Sequence, residues 1–143
     1  MKNFNSERGQ SLVELSISLV ILLYLLTGAV EFGMAYFQFV QLRDAAQEGA
    51  LYGSVNPTDN TGIMARIRQS SQSPIKLNDS SVVPDSDITI TVTSSPCEGN
   101  GLTVEVKYDH QIFMPFIPQL IGTNTIPLTA SVTDTILSPI CGP

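Results

Sequence analysis

An uncharged apolar run near the N-terminus dominates the hydrophobic pattern of the chain. Residues 15 to 30 contain no charged side chain, and Glu14 and Glu31 stand at the two ends of this run. At the rise of an α-helix, Gln10 and Glu31 are about 32 Å apart, close to the thickness of the hydrocarbon core of a bilayer. The pattern therefore predicts one membrane-spanning helix, with Glu31 near its far interface.

The helical pattern continues beyond this span. Apolar and small residues recur at spacings of three and four while polar residues take the other directions, which predicts an amphipathic helix. Gly53, followed by the Asn56-Pro57 pair, predicts that the helix ends near Tyr52 and Gly53. The recurring positions are Phe32, Tyr36, Phe39, Leu42, Ala46, Gly49 and Gly53.

After Pro57 the pattern becomes that of a small mixed domain. Residues 61–68 predict a short second helix, and residues 70–87 predict a polar connection. Three later segments alternate apolar and polar residues, as half-buried strands do. A sheet of this kind needs a cover, and the apolar face of the long helix is the obvious one. The apolar strand positions are Ile88, Ile90 and Val92; Leu102, Val104, Val106 and Tyr108; and Ile126, Leu128, Ala130 and Val132.

Charge predicts the orientation of the span and argues against one class of partner. Lys2 and Arg8 precede the span, and basic flanks stay in the cytoplasm, so residues after about 35 are expected outside it. The net charge is −6 and the basic residues are scattered. Because such a chain offers no surface for phosphates, we expect no nucleic-acid partner.

The junction before the span carries a distinctive arrangement. Glu14 follows Gly9 by five residues. A carboxylate in an apolar run is costly unless a partner is supplied. Cleavage after Gly9 creates a new α-amine on Gln10, which is such a partner for Glu14, either one turn away on the same helix or on a neighbouring subunit.

This arrangement resembles the class III signal of type IV pilin-like proteins. A wider set of motifs resembles the TadE-like family of minor pilins or pseudopilins of tight-adherence (Tad, Flp-type) pili. Related pilins often carry an aromatic residue where this chain has Leu15. The motifs are Arg8-Gly9-Gln10-Ser11-Leu12-Val13-Glu14-Leu15, Val30-Glu31-Phe32-Gly33 and Ala45-Ala46-Gln47-Glu48-Gly49-Ala50-Leu51-Tyr52-Gly53.

The resemblance implies a pilin-like α+β fold, in which the long helix packs on a three- to four-stranded antiparallel sheet. Its organisation would be a prepilin leader at 1–9, a transmembrane and assembly helix at 10–53, and a small extracytoplasmic domain at 54–143. The N-terminus would be cytoplasmic and the span would cross the inner membrane once. After cleavage the subunit would join a pilus at the cell surface, with Gln10 and Glu14 as its assembly charge pair.

The resemblance also implies the partners. They are a prepilin peptidase that cuts after Gly9, other pilin subunits, the membrane, and an inner-membrane assembly platform with its secretion ATPase. The chain itself carries no P-loop motif, so any energy for assembly comes from another protein.

Small residues in the second half of the helix allow another backbone to approach closely. They are candidates for helix packing at Ala46, Gly49, Ala50 and Gly53. Two interpretations stay open: the sheet of the same chain packs there, or the helix of a neighbouring subunit does.

The two cysteines fit the predicted sheet. In an antiparallel meander Cys97 lies in the turn between the first two strands, and the third strand returns to the same edge, just before Cys141. We therefore expect a disulfide, which persists in an extracytoplasmic domain. Two reduced, buried thiols are the alternative.

Signals for catalysis or ligand binding are weak. The single histidine, His110, is interpreted as a satisfied or exposed strand-end residue, because no nucleophile motif accompanies it. Asp79, Asp85 and Asp87 lack the spacing of a calcium loop and are expected to be solvated. We therefore expect no enzyme activity, no metal, no cofactor and no small-molecule substrate.

A dense apolar segment with two prolines covers residues 113 to 121. It predicts a crossover that caps the core. An exposed patch for a neighbouring subunit or a surface is the alternative interpretation.

Three other hypotheses stay open for the chain as a whole. An ordinary secretory signal peptide, cut near Thr27 and Ala29, is disfavoured because the helix continues past the span. The second hypothesis is a permanently membrane-anchored binding protein or adhesin, and the third is a small secreted enzyme. The mature N-terminus separates these: Gln10 for the pilin, Met1 for the anchor, and a residue near 30 for the secreted enzyme.

Overall fold

One long helix and a three-stranded antiparallel sheet form the structure, which is a computed structural model and describes residues 6–139 and 141, with side chains from residue 9 onward. Residues 1–5 of the predicted leader, including Lys2, lie outside the described residues. The elements are α1 (Ser6–Val55), α2 (Asn60–Ser70), a 3-10 turn (Asp85–Asp87), β1 (Ile88–Val92), β2 (Gly101–Gln111), α3 (Ile117–Ile121) and β3 (Thr125–Thr135).

The predicted α+β architecture is confirmed. All three strands form where the alternation predicts them, and β2 and β3 extend past the predicted positions at both ends. The long helix extends from Ser6 to Val55, two residues beyond the end predicted near Gly53. The sheet has the order β1-β2-β3, so β2 is its central strand.

The two halves of α1 have different surroundings. Residues 9–27 are all exposed, and α1 is the one helix among the described residues that is long and apolar enough to cross a membrane. We call residues 9–30 the stem. From Leu42 onward the inner face of α1 is buried, with Leu42, Ala45, Ala46 and Ala50 all without exposed surface. The chain's own domain therefore covers only the second half of the helix.

The inner face of β2 runs along this covered half. Leu102 lies against Gly53 near the end of α1, and His110 contacts Gln38 and Glu31 nearer the stem. The strand distance from Leu102 to His110 is about 27 Å and the helix distance from Glu31 to Gly53 is about 33 Å, so the two elements run side by side in opposite directions.

The connection between α2 and β1 belongs to the core, although its composition predicted only a polar linker. Ile75, Leu77 and Val83 are fully buried in it. Arg68 of α2 holds the segment in place, since its guanidinium donates to the carbonyl oxygens of Leu77 at 2.7 Å and Val83 at 2.6 Å. The prediction missed this because three apolar side chains without regular spacing carry no periodic signal.

The start of α2 explains a glycine that is unfavourable for a helix. The Asp59 carboxylate caps α2 by accepting from the Gly62 N–H at 2.9 Å, and it also accepts from the Tyr52 hydroxyl at 2.9 Å. These two hydrogen bonds, the first more than the second, hold the pKa of Asp59 below its ordinary value. A Cβ at position 62 would lie 2.3 Å from the Asp59 carboxylate, so the cap requires glycine.

Cys97 and Cys141 form a disulfide, as the meander predicted, with their Cα atoms 5.4 Å apart. Backbone hydrogen bonds hold the same edge: the Gly99 N–H donates to Ile136 O at 2.9 Å, and the Leu137 N–H donates to Ser54 O at 2.7 Å. The edge of the sheet that carries the disulfide is therefore held together by backbone hydrogen bonds, and one of these bonds joins it to the end of α1.

We expect Gly49→Ala to destabilise the protein. A Cβ there would lie 2.6 Å from Cγ1 of the fully buried Ile67, so α1 and α2 must separate. Overpacking costs about 1–3 kcal/mol, whereas alanine restores at most about 1 kcal/mol of helix propensity. The midpoint of thermal unfolding in detergent should therefore fall. Gly33→Ala is the matched control, because nothing lies within 4 Å of a Cβ there; equal midpoints for the two variants would contradict this packing.

Reduction of the disulfide should lower the stability of the domain. The bridge spans 44 residues of sequence, and in the chain-entropy model a loop of that length stabilises by about 4 kcal/mol. The native protein should show no thiol that reacts with an alkylating reagent, and reduction should lower the unfolding midpoint by several degrees. Two alkylated thiols in the unreduced protein would argue against the bridge.

Candidate functional site

The proposed processing junction lies on the first turns of α1. Gly9, Gln10 and Glu14 are exposed there, and nothing lies within 4 Å of a Cβ on Gly9. Because α1 begins at Ser6, the bond between Gly9 and Gln10 is helical, and a peptidase that binds extended backbone must first unwind this turn. The first turn of a helix lacks part of its hydrogen bonding and glycine is a poor helix former, so this unwinding is inexpensive.

Glu14 lies on the stem among exposed apolar side chains. With Gly9, Gln10, Val13 and Ile17 it lines one shallow groove on the helix surface. Within the described part of the chain no cation pairs with its carboxylate. The spacing of Gln10 and Glu14 places both on one face of the helix, which is the geometry that a pairing with the amine of residue 10 requires.

The small-residue face of α1 is filled by the chain's own elements. Ala46 and Ala50 are fully buried, Gly49 lies against Ile67 of α2, and Gly53 lies against Leu102 of β2. At Gly53 the chain's own sheet packs on this face, as the first interpretation expected, whereas at Gly49 the packing partner is α2. In this fold the face is not free for the helix of a neighbour.

A buried polar cluster joins α1 to the end of β2, at the boundary between the stem and the covered half. His110 is fully buried; its Nδ1 lies 2.6 Å from Gln38 Oε1 and its Nε2 lies 2.9 Å from Glu31 Oε1. The Phe113 N–H donates to both carboxylate oxygens of Glu31, each at 3.2 Å. We call Glu31, Gln38, His110 and the Phe113 N–H the clasp.

The clasp satisfies groups that are costly to bury. The Glu31 side chain is only 12% exposed, yet its carboxylate accepts from His110 and from a backbone N–H. Both ring nitrogens of His110 therefore have a polar partner on α1, Gln38 at Nδ1 and Glu31 at Nε2.

Sequence reasoning did not find the clasp, although it anticipated a satisfied histidine. Glu31 and His110 are 79 residues apart, and nothing local connects them. One signal was present: His110 continues the alternating inner face of β2, after Leu102 and Val106, so its ring had to face α1. Glu31 and Gln38 are spaced by two helical turns and share one side of that helix.

The apolar segment after the clasp does not cap the core, and that prediction is wrong. Phe113 and Phe116 are each 70% exposed, Leu120 is 81% exposed and Ile121 is 50% exposed. The segment turns away from the sheet and lies beside the stem, where Met114 and Pro115 line a cleft with Leu23, Tyr24 and Thr27. The exposed-patch alternative is the one that the structure supports.

The acidic residues of the connection make ordinary structural contacts. Asp85 pairs with Arg68, and Asp79 accepts from the backbone and hydroxyl of Ser81. These bonds from Ser81 hold the pKa of Asp79 below its ordinary value. Among the described residues no group of three or more His, Cys, Asp or Glu side chains is arranged to hold a metal ion.

Comparison with known proteins bears on the helix rather than on the sheet. Neither the curated proteins nor the solved structures contain a match to the chain. Residues 9–51, which comprise the processing junction, the stem and most of the covered half of α1, match the family described as TadE-like protein, and this match confirms the resemblance seen in the motifs.

Proposed function

We propose that this chain is a minor pilin or pseudopilin subunit of a Tad-type type IV pilus, which contributes to pilus assembly and surface adherence. The TadE-like match supports an association with the Tad pilus system and a structural role rather than an enzymatic one. The observation that carries the proposal is the bare apolar stem, on which Glu14 stands five residues after Gly9 with no cation paired to it among the described side chains.

The stem is suited to two apolar environments, a bilayer and the interior of a fibre, and not to water. Its exposed side chains include Leu12 at 66%, Leu15 at 68% and Leu25 at 71%. In a bilayer these side chains contact lipid, which makes the chain a single-pass membrane protein. In a fibre they pack against the stems of other subunits. Glu14 favours the fibre, because a neighbour's amine removes the cost of an unpaired carboxylate.

The proposed steps of processing and assembly follow from these two environments. Residues 1–9 form a leader, residues 10–53 a transmembrane and assembly helix, and residues 54–143 an extracytoplasmic domain. A prepilin peptidase cuts after Gly9 at the cytoplasmic face of the inner membrane. The assembly platform, driven by its secretion ATPase, then moves the subunit from the membrane into or beneath the pilus, where it meets other pilin subunits.

We expect Gly9→Val to block processing. A peptidase that binds extended backbone at the membrane face has no room for a branched side chain there. The change should leave the rest of the fold intact, because nothing lies within 4 Å of a Cβ at Gly9. The measurement is the mass and N-terminal sequence of the protein in membranes and in sheared fibres. The wild type should begin at Gln10, and the variant should keep Met1 and stay in membranes.

Gly33→Val is the matched control for this experiment. Gly33 is also exposed on α1 with nothing within 4 Å of a Cβ, so its variant should be processed normally. Wild-type protein that keeps Met1 would instead favour a permanently anchored binding protein or adhesin. Mature protein of normal size in Gly9→Val would remove Gly9 from the proposed cleavage site.

Glu14→Gln should separate insertion from assembly. The change keeps the side-chain size and removes the charge that is proposed to pair with the amine of Gln10 on a neighbour. Insertion in the bilayer should be unaffected or easier, since an amide costs less to bury than a carboxylate. Removing one partner of a buried pair costs about 3–5 kcal/mol, so processed protein should accumulate in membranes and be lost from sheared fibres.

The control for this change is Glu48→Gln, an exposed acid on the same helix beyond the predicted span. That variant should enter fibres as the wild type does. If Glu14→Gln also reaches fibres at the wild-type level, the charge-pairing role is contradicted. Glu14 is then only an interfacial acid at the start of a membrane helix.

A further inference from the structure

We propose that residues 112–121 form a lipid-contacting element that lies in the outer leaflet of the membrane beside the stem. This inference rests on the proposed function in that α1 spans a bilayer with the domain outside the cytoplasm. We call residues 112–121 the interfacial loop. It begins directly after β2 and comprises the turn at Pro115 and the short helix α3.

The position of the interfacial loop along α1 sets its depth. Met114 and Pro115 line a cleft with Leu23, Tyr24 and Thr27. Leu23 is about 12 Å along the helix from Glu31 on the membrane side, and Gly28, where a Cβ would lie 3.9 Å from the Met114 methyl group, is about 5 Å from it. Half of the hydrocarbon core is about 15 Å thick, so a helix whose span ends near Glu31 holds this loop at the level of the outer leaflet.

The surface of the loop suits lipid rather than water. No Asp, Glu, Lys or Arg occurs between Asp109 and Asp134. Phe113, Phe116 and Leu120 are exposed, and Met114 and Pro115 of the same loop line an apolar cleft with the stem. Patches of this kind on a soluble face mark interaction sites, and here the neighbouring surface is the one that contacts the bilayer.

The backbone of the loop is also prepared for an apolar medium, in which each free N–H is costly. Pro115 and Pro118 have no N–H. The Phe113 N–H donates to Glu31, the Leu120 N–H to Phe116 O at 3.3 Å, and the Gly122 N–H to Pro118 O at 2.9 Å. Fewer donors than usual therefore remain for water to satisfy.

The backbone conformation of Phe116 also supports contact of the loop with lipid. Its φ of 68° is a left-handed conformation that large side chains rarely adopt. The ring is 70% exposed, so no burial within the chain offsets the cost of that conformation. Contact with the acyl chains of the outer leaflet supplies the missing burial, and it also keeps water from the clasp.

The test uses single tryptophans, because the chain has none. Three exposed leucines make a matched set: Leu120→Trp in the loop, Leu22→Trp in the stem, and Leu137→Trp beside the far end of α1. Each full-length variant is reconstituted in phosphatidylcholine vesicles whose acyl chains carry bromine either near the headgroup or near the chain ends. Bromine quenches tryptophan emission on contact, so the pattern reports depth.

We expect quenching of Leu120→Trp that is stronger for bromine near the headgroup, quenching of Leu22→Trp that is stronger for bromine near the chain ends, and none of Leu137→Trp. An unquenched Leu120→Trp beside a quenched Leu22→Trp overturns the inference and leaves the membrane span intact. If neither is quenched, the span itself fails. A blue-shifted but unquenched Leu120→Trp means that a second protein copy covers the loop, which also overturns it.

Unchanged unfolding midpoints in detergent show that the variants fold. If Leu120→Trp does not fold, Phe116→Trp serves as the second reporter, since it replaces one exposed aromatic side chain with another.

Discussion

The contact of β2 with the second half of α1 is the interaction on which the rest of the structure depends. β2 pairs with both other strands, and its inner side chains, among them Leu102, Val104 and Val106, are buried by the helix. A three-stranded sheet has one face to cover, and this helix covers it. α2 and its connection then close the remaining side of the helix, where Gly49 permits the close approach of Ile67.

The same contact determines what lies at the membrane boundary. Because β2 runs opposite to α1, its last inner residue, His110, lies at the point where the stem meets the covered half of the helix. Glu31 at the end of an apolar run would otherwise be a carboxylate facing lipid headgroups. The clasp gives it two donors, and the chain that leaves the clasp through Phe113 continues directly alongside the stem.

The two halves of the helix thus present different surfaces. Its covered half is held by alanine and glycine packing, by the sheet and by the disulfide edge, and these contacts do not involve the stem. The stem makes no such contacts between residues 9 and 22 and keeps its apolar surface for other molecules. The proposed passage of the subunit from a bilayer to a fibre requires this separation, because the domain must stay folded while the stem changes partners.

The sequence by itself determined the elements that depend on local periodicity, which are the long helix with its two halves and the three strands. These follow from spacing along the chain, which is visible without any tertiary contact. The topology also brought Cys97 and Cys141 to one edge, because a meander returns its third strand to the first turn. Only the tertiary structure decided the partners of Glu31, the burial of Ile75, Leu77 and Val83, and the outward turn of the apolar loop. Each of these depends on which distant surface a side chain meets, and hydrophobicity alone does not distinguish a core from a membrane as the place where an apolar loop is buried.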